Sequence, residues 1–307
     1  MARTIRVGAR GSRLSRWQAD HVAGLLERAW PDVTVEIRII STTGDRVLDT
    51  PLPLLGGKGV FTQEIEAELR TGEIDLAVHS LKDLPVDDPE GLVIGGIPER
   101  ADPGDVLISR NGLRLAELPA GATIGTSSPR RASQLLHLCP DLQMASIRGN
   151  VDTRIAKALD PDGPYDAIVL ARSGIDRMGQ EAVITENLSL DVMLPAPGQG
   201  ALGIQCRDDA DTHALLAPIN HAQSAAATVA ERAFLQGLGG GCSAPVGAYG
   251  WFEGSTLHLH GRWLTVDGVT QVELRSVTDD GATLDAAREA GYALARQVMV
   301  RRAGVEG

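Results

Sequence analysis

Val33, Val35, Ile37 and Ile39 alternate with Thr34, Glu36 and Arg38, the period-two pattern of a strand with one covered face. Thr4 to Ala9 reads as a short buried strand before it. Between the two, the loop Arg10, Gly11, Ser12 leads into a helix whose apolar positions include Leu14, Trp17, Val22 and Leu25. A further helix is predicted from about Val60 to Arg70, opened by Gly56, Gly57, Lys58 and Gly59, and a strand at Asp75 to His79 ends in the polar run His79 to Asp83. The pattern restarts after the turn-rich segment Pro98 to Asp105. A strand at Ala122 to Gly125 leads through Thr126, Ser127 and Ser128 to a helix beginning at Pro129, and proline directly after serine is a favoured helix start. Strands at Gln143 to Ile147 and Asp166 to Ala171 follow. The first runs through Arg148, Gly149 and Asn150 into a helix with Arg154, the second into Arg172, Ser173 and Gly174.

Alternating units of this kind build parallel sheets covered by helices, with ligands outside the carboxyl ends of the strands. Here those ends are rich in Arg, Ser and Lys. Two breaks dense in proline and glycine, Pro98 to Asp105 and Leu194 to Gly200, predict a pair of crossings between two α/β domains. The expected division is residues 1–99 with 200–217, then 105–193, then 222–307. In the last part an alanine-rich helix ends at Leu238, and Gly239, Gly240, Gly241 and Cys242 form a loop. Alternating stretches at Thr256 to Thr265 and Val269 to Val277 precede a final helix over roughly Leu284 to Arg301, which predicts a smaller α/β domain of antiparallel strands and helices.

Composition narrows the chemistry. With 307 residues, 43% apolar and 22% charged, the chain is expected to fold rather than remain disordered. Its apolar runs are far shorter than the ~20 residues that span a bilayer, and the N-terminus lacks the hydrophobic segment of a secretory signal. A cytoplasmic protein without a membrane partner is expected. Lys and Arg number 29 against 40 Asp and Glu, a net charge of −11, which argues against a general nucleic-acid binder. An anionic ligand must therefore be met by local clusters. The three cysteines, Cys139, Cys206 and Cys242, show no CxxC spacing, which disfavours a disulfide framework and a thiolate zinc site. His258 and His260 share a strand face with no third ligand nearby, so a solvated strand and no metal are expected. Trp17, Trp30, Trp251 and Trp263 form no evident stacking platform.

Gly56 to Gly59 resembles a phosphate loop, but a Walker A motif needs glycine where Leu52 stands and Ser or Thr where Gly59 stands. A helix start of this kind can still hold a carboxylate; a plain helix start is the alternative. Arg10, Arg130, Arg131, Arg148, Arg154, Arg172 and Arg177 lie in or just beyond strand-to-helix loops, where guanidinium forks favour a shared ligand with several anionic groups. Asp83, adjacent to Lys82 and near Ser80, would be a carboxylate inside that cationic crevice, able to stabilise a cation or move a proton. The alternative for Asp83 is a pairing with Lys82 or a turn cap. Cys242 ends a triple-glycine run where crowding is low, and a merely structural cysteine is its alternative.

Seven segments in order closely resemble the hydroxymethylbilane synthases, also called porphobilinogen deaminases, nearly end to end. They are Arg10-Gly-Ser12 with Leu14 and Gln18, Gly56 to Gly59, His79 to Asp83 (HSLKD), and Gly125 to Arg131 (GTSSPRR). The others are Arg148 to Arg154 (RGNVDTR), Pro197 to Gly200 (PGQG) and Gly240 to Pro245 (GGCSAP). The resemblance implies two domains like type II periplasmic binding proteins joined by hinge crossings, plus a smaller domain presenting Cys242. It implies a monomeric transferase of porphyrin and heme biosynthesis with a dipyrromethane cofactor bound covalently by a thioether to Cys242.

By the same resemblance four porphobilinogens are joined head to tail onto that primer, each losing ammonia. Hydrolysis then releases the linear tetrapyrrole hydroxymethylbilane. Asp83 is implied as the catalytic group. Arg10, Ser12, Lys58, Ser80, Lys82, Thr126, Ser127, Ser128, Arg130, Arg131, Arg148, Arg154, Arg177 and Gln199 are implied to contact cofactor, porphobilinogen or its polycarboxylate oligomers. Each pyrrole brings an acetate and a propionate, so several guanidinium forks suit the growing chain. Leu54 departs from the lysine some relatives carry there, and Ser15 stands where alanine is common. A non-catalytic small-anion-binding protein of the same two-domain architecture is the alternative, because architecture alone fits binding as well as catalysis.

Overall fold

A computed structural model describes residues 3–46, 62–240 and 244–306. The predicted glycine-rich loop with Lys58, the departure at Leu54, and Cys242 lie outside the described residues. In chain order the elements begin with β1 (Arg3–Ala9), α1 (Arg13–Ala29), β2 (Val33–Ile39), α2 (Thr43–Arg46), α3 (Gln63–Thr71), β3 (Leu76–Ser80) and β4 (Leu92–Gly96). Next come β5 (Asp105–Ser109), β6 (Thr123–Gly125), α4 (Pro129–Leu138), β7 (Gln143–Ala145), α5 (Val151–Leu159), β8 (Ala167–Ala171), α6 (Arg172–Arg177) and β9 (Glu186–Leu188). The chain ends with β10 (Leu202–Arg207), α7 (Ala210–Leu216), α8 (Ala222–Gly237), β11 (Val246–Glu253), β12 (Thr256–Leu264), β13 (Gln271–Thr278) and α9 (Leu284–Glu306). They fall into two compact units, Met1–Arg100 with Ala201–Ala225 and Ala101–Gly200 with Ala226–Gly307.

The first unit holds a five-stranded sheet in the order β2-β1-β3-β10-β4, and the second a five-stranded sheet in the matching order β7-β6-β8-β5-β9. The two units thus repeat one α/β topology. The alternating pattern predicts parallel sheets, and the structure adds one antiparallel strand to each. β10 runs antiparallel to β3 and β4, and β5 antiparallel to β8 and β9. Both follow a crossing, so neither enters its sheet through the helical crossover that parallel succession requires.

Helix α1 buries Gln18, Ala19, Val22, Ala23 and Leu26, with Ala19, Val22 and Leu26 in one core with Ile5, Val7, Leu76 and Val78. The predicted apolar face included Trp17, yet this ring is 37% exposed and stacked on His21. Five residues from Val22, Trp17 falls off a face built on three- and four-residue steps. The second sheet is covered on both sides: Leu107, Ile124, Leu135 and Val169 form one core, Val106, Ile108, Ile155, Ile168 and Leu170 the other. That double burial explains why β5 and β8 read as unbroken apolar runs.

Strands β11, β12 and β13 form a separate antiparallel sheet. A Cβ at Gly261 would meet the Phe234 ring of α8 at 2.5 Å, and one at Gly291 of α9 would lie 2.2 Å from the Ala230 carbonyl oxygen. Glycine therefore sets the close approach of both helices. The expected solvated strand fails at His260, which is 2% exposed and bound to Glu273. His258 stacks on Trp251, which in turn stacks on Tyr249, an aromatic ladder not evident in the sequence because its rings come from two strands. Among the described residues no helix is long and apolar enough to cross a membrane.

Candidate active site

In the first unit, the carboxyl end of β3 delivers the polar run. Ser80 ends the strand, and residues Leu81–Asp83 make a single 3-10 turn. Leu81 and Leu84 are buried in a small core with Ile97, Ala201 and Ala225, and Leu81 N–H donates to the Ala201 carbonyl at 3.0 Å. Anchored on both sides, the turn presents Asp83 to solvent. Among the described residues Asp83 makes no hydrogen bond or ion pair, so the pairing with Lys82 considered from sequence is not formed. Lys82 is half-buried.

Helix α1 supplies the neighbouring groups. Ser12 caps it, its Oγ accepting from Ser15 N–H at 3.2 Å, while Ser15 Oγ accepts from the backbone N–H of half-buried Arg10 at 3.1 Å. Sequence reading gave Ser15 no role; here it fixes the backbone of Arg10. Gln18 Nε2 donates to Ser80 Oγ at 2.8 Å. His79 is pushed down to about 4, first by burial, with the charge of Arg10 adding to the effect and Gln205 partly offsetting it. It is a neutral imidazole beneath the site.

In the second unit, Ser128 caps α4, which places Arg130 and Arg131 in its first turn. Both are buried, at 4% and 6% exposure, and both bind Asp105, the first residue of β5, itself 1% exposed. Arg130 Nη1 donates to Asp105 Oδ2 at 2.7 Å and to the Leu194 carbonyl at 2.7 Å. Arg131 reaches Asp105 Oδ1 through Nε at 3.1 Å and Nη2 at 2.7 Å, with Nη1 on the Val169 carbonyl at 2.9 Å. Buried Gln199 donates to the same Oδ1 at 3.0 Å and to the Pro103 carbonyl at 2.7 Å.

Other predicted contacts have local duties. Ser127 Oγ accepts from Ile147 N–H at 3.0 Å and bonds the Ile147 carbonyl at 2.8 Å, so it secures the loop that carries Arg148. Thr126 is buried, and its Oγ1 accepts from Ser128 N–H at 3.2 Å. Arg154 Nε donates to the Gly149 carbonyl at 2.7 Å, in the loop of half-buried Arg148. Arg177 is lowered to about 10 by burial and holds the Gly200 carbonyl at 2.7 Å. Arg172 is held by Asp176 and Asn187.

The structure thus gathers Arg130, Arg131 and Gln199 on one carboxylate, while Arg148 and Arg154 share the next loop. Asp105 was missed by sequence reading. Its signal is an aspartate opening the apolar strand Val106, Leu107, Ile108 directly after a crossing. Two guanidiniums at a helix N-terminus face this one carboxylate, and among the described residues buried Arg130 Nε has no hydrogen-bond partner. A donor set with one positive charge uncompensated fits a polycarboxylate such as a dipyrromethane. Buried Cys206 is raised to about 11, first by burial, which makes it a poor nucleophile. Among the described residues no three His, Cys, Asp or Glu side chains are grouped to hold a metal ion.

Each unit carries polar groups at its strand ends, a buried arginine cluster in one and an exposed carboxylate in the other, and the arginine cluster suits an anionic ligand. Residues 5–214 match the family model described as "Porphobilinogen deaminase, dipyromethane cofactor binding domain", and residues 225–299 match "Porphobilinogen deaminase, C-terminal domain". The porphobilinogen deaminase of Syntrophomonas wolfei is 48% identical over 298 residues, covering 97% of this chain and 95% of its own. That of Moorella thermoacetica is 46% identical, covering 98% and 94%, and that of Geobacter metallireducens 49%, covering 88% and 84%. A periplasmic VFT2 domain of Bordetella pertussis BvgS superposes with a TM-score of 0.42 at 13% identity, covering 70% of this chain and 86% of that domain. The chain belongs to the porphobilinogen deaminase family. The alternative of a non-catalytic anion binder falls with that membership.

Proposed function

We propose that the chain acts as a hydroxymethylbilane synthase, condensing four porphobilinogens head to tail with loss of one ammonia each and releasing the linear tetrapyrrole by hydrolysis. The observation that carries this reading furthest is the buried Arg130–Arg131 pair, which among the described residues shares the single carboxylate of Asp105. The dipyrromethane group, held through Cys242, supplies the free pyrrole carbon onto which substrate is added. Arg130, Arg131, Arg148 and Arg154 hold its carboxylates and those of incoming rings through charge-assisted forks. Ser80, Ser128 and Thr126 add neutral donors without further charge. Lys58, Lys82, Arg10, Ser12, Ser127, Arg177 and Gln199 complete the set, several of them by fixing loops rather than by touching ligand.

Asp83 is the proposed proton-handling residue. Exposed and with no hydrogen bond or ion pair among the described residues, its carboxylate is available to accept from a pyrrole N–H as positive charge develops on the ring, and to move a proton at that site. The chain works as a cytoplasmic monomer in this reading. Supplying porphobilinogen to purified protein and measuring ammonia together with tetrapyrrole tests the function. Four ammonia per linear tetrapyrrole is expected, and absence of ammonia release overturns it.

A further inference from the structure

We infer that Asp105 is a positioning residue for the anion site, holding Arg130 and Arg131 in the geometry that receives ligand carboxylates. This rests on the proposed role of those arginines. Adjacent guanidiniums in the first turn of α4 repel one another, meet the positive end of the helix dipole, and are nearly excluded from water. Each term opposes placing them there. Burial lowers the Arg130 pKa, and Asp105 raises it again.

The carboxylate does more than balance charge. Oδ1 takes both Nε and Nη2 of Arg131, Oδ2 takes Nη1 of Arg130, and Oδ1 also receives Gln199. One rigid group therefore sets the planes of two forks. The first crossing delivers it at Asp105, and the second contributes Leu194 and Gln199. Among the described residues one carboxylate pairs with the two guanidiniums, which leaves one positive charge for the ligand that a second acid would cancel.

The test is a double-mutant cycle of Asp105→Asn and Arg131→Gln in the full chain. It reads the fraction of folded protein carrying the dipyrrole by intact mass, the KM for porphobilinogen, and the melting temperature. Each single variant should raise KM by about tenfold and lower loading, and the double variant, which still releases Arg130, should lose less than the two single losses combined. A structural role alone would lower the melting temperature and leave KM and loading of the folded fraction unchanged. Additive losses overturn the inference while leaving the arginine site intact; a harmless Arg131→Gln overturns the arginine reading and the inference with it. Should Asp105→Asn not fold, Asp105→Glu decides, because it keeps the charge and moves it by one methylene. A near-normal melting temperature with KM raised about tenfold is expected. Wild-type KM and loading in that variant reduce Asp105 to a counter-charge and overturn the inference.

Discussion

Gln18 on α1 donates to the hydroxyl oxygen of Ser80 at 2.8 Å, three residues before Asp83. Because Ser80 Oγ accepts this bond, its own proton is left to be donated elsewhere. Gln18→Leu keeps the volume of a side chain that is 3% exposed and removes the donor. The expected outcome is a KM for porphobilinogen raised severalfold and a stability loss of about 0.5–1.5 kcal/mol, the net worth of one such bond. Steady-state kinetics and denaturant unfolding of the same preparation check both; an unchanged KM would remove Ser80 orientation from the account.

Arg148 and Arg131 should behave differently on truncation. Half-buried Arg148 sits in a loop, so Arg148→Ala should weaken substrate binding by about 1.5–3 kcal/mol, the worth of a charge-assisted contact, with little change in melting temperature. Buried Arg131 is also part of the Asp105 pair, so Arg131→Ala should lose binding and stability together. Arg301→Ala, on the exposed face of α9, is the control. Equal activity in all three contradicts the anion site.

Local patterns were legible in the sequence: the serine cap and proline that start α4, the alternation of β2, and the apolar run of β8 all depend on neighbours within one element. Pairings made across the chain were not. Asp105 meets arginines 25 and 26 positions later and Gln199 94 positions later, and no spacing rule connects them. The resemblance implies Ser127 as a ligand contact, but its hydroxyl's bond to Ile147, 20 residues away, had no sequence signal. The antiparallel insertion of β10 was hidden for a related reason, since partner strands are chosen by topology rather than by pattern.

His79 and Glu273 make stability depend on pH in two windows. The folded His79 stays neutral down to about 4, whereas the unfolded chain binds a proton near the ordinary value of 6.5, so the native state loses stability as pH falls between them. The loss is roughly 3 kcal/mol at about 1.4 kcal/mol per unit. Glu273 is held down to about 2, first by its hydrogen bond to His260, despite burial, and with Arg262 assisting. Its contribution is present above the ordinary 4.5 and lost as pH falls toward about 2. Unfolding free energy measured across pH should show His79→Gln flattening the upper window only and Glu273→Gln the lower one only. Profiles parallel to wild type contradict the assignment.

Asp83→Asn preserves shape while removing the charge. Since Asp83 makes no ion pair or hydrogen bond among the described residues, folding stability should change by less than about 0.5 kcal/mol, while catalysis falls by 10²- to 10⁴-fold, the usual worth of general acid–base assistance. Ammonia release and thermal unfolding on cofactor-loaded protein separate the two. Wild-type ammonia release from a folded, loaded variant removes Asp83 from the mechanism.

The central claim is that this chain builds a tetrapyrrole on a primer bound to Cys242, and intact-protein mass tests it most directly. Protein purified from cells that make porphobilinogen should exceed its polypeptide mass by one dipyrrole, and Cys242→Ser should return it to the bare value. A wild-type chain at the bare mass, or a serine variant that still carries the pigment, contradicts the account.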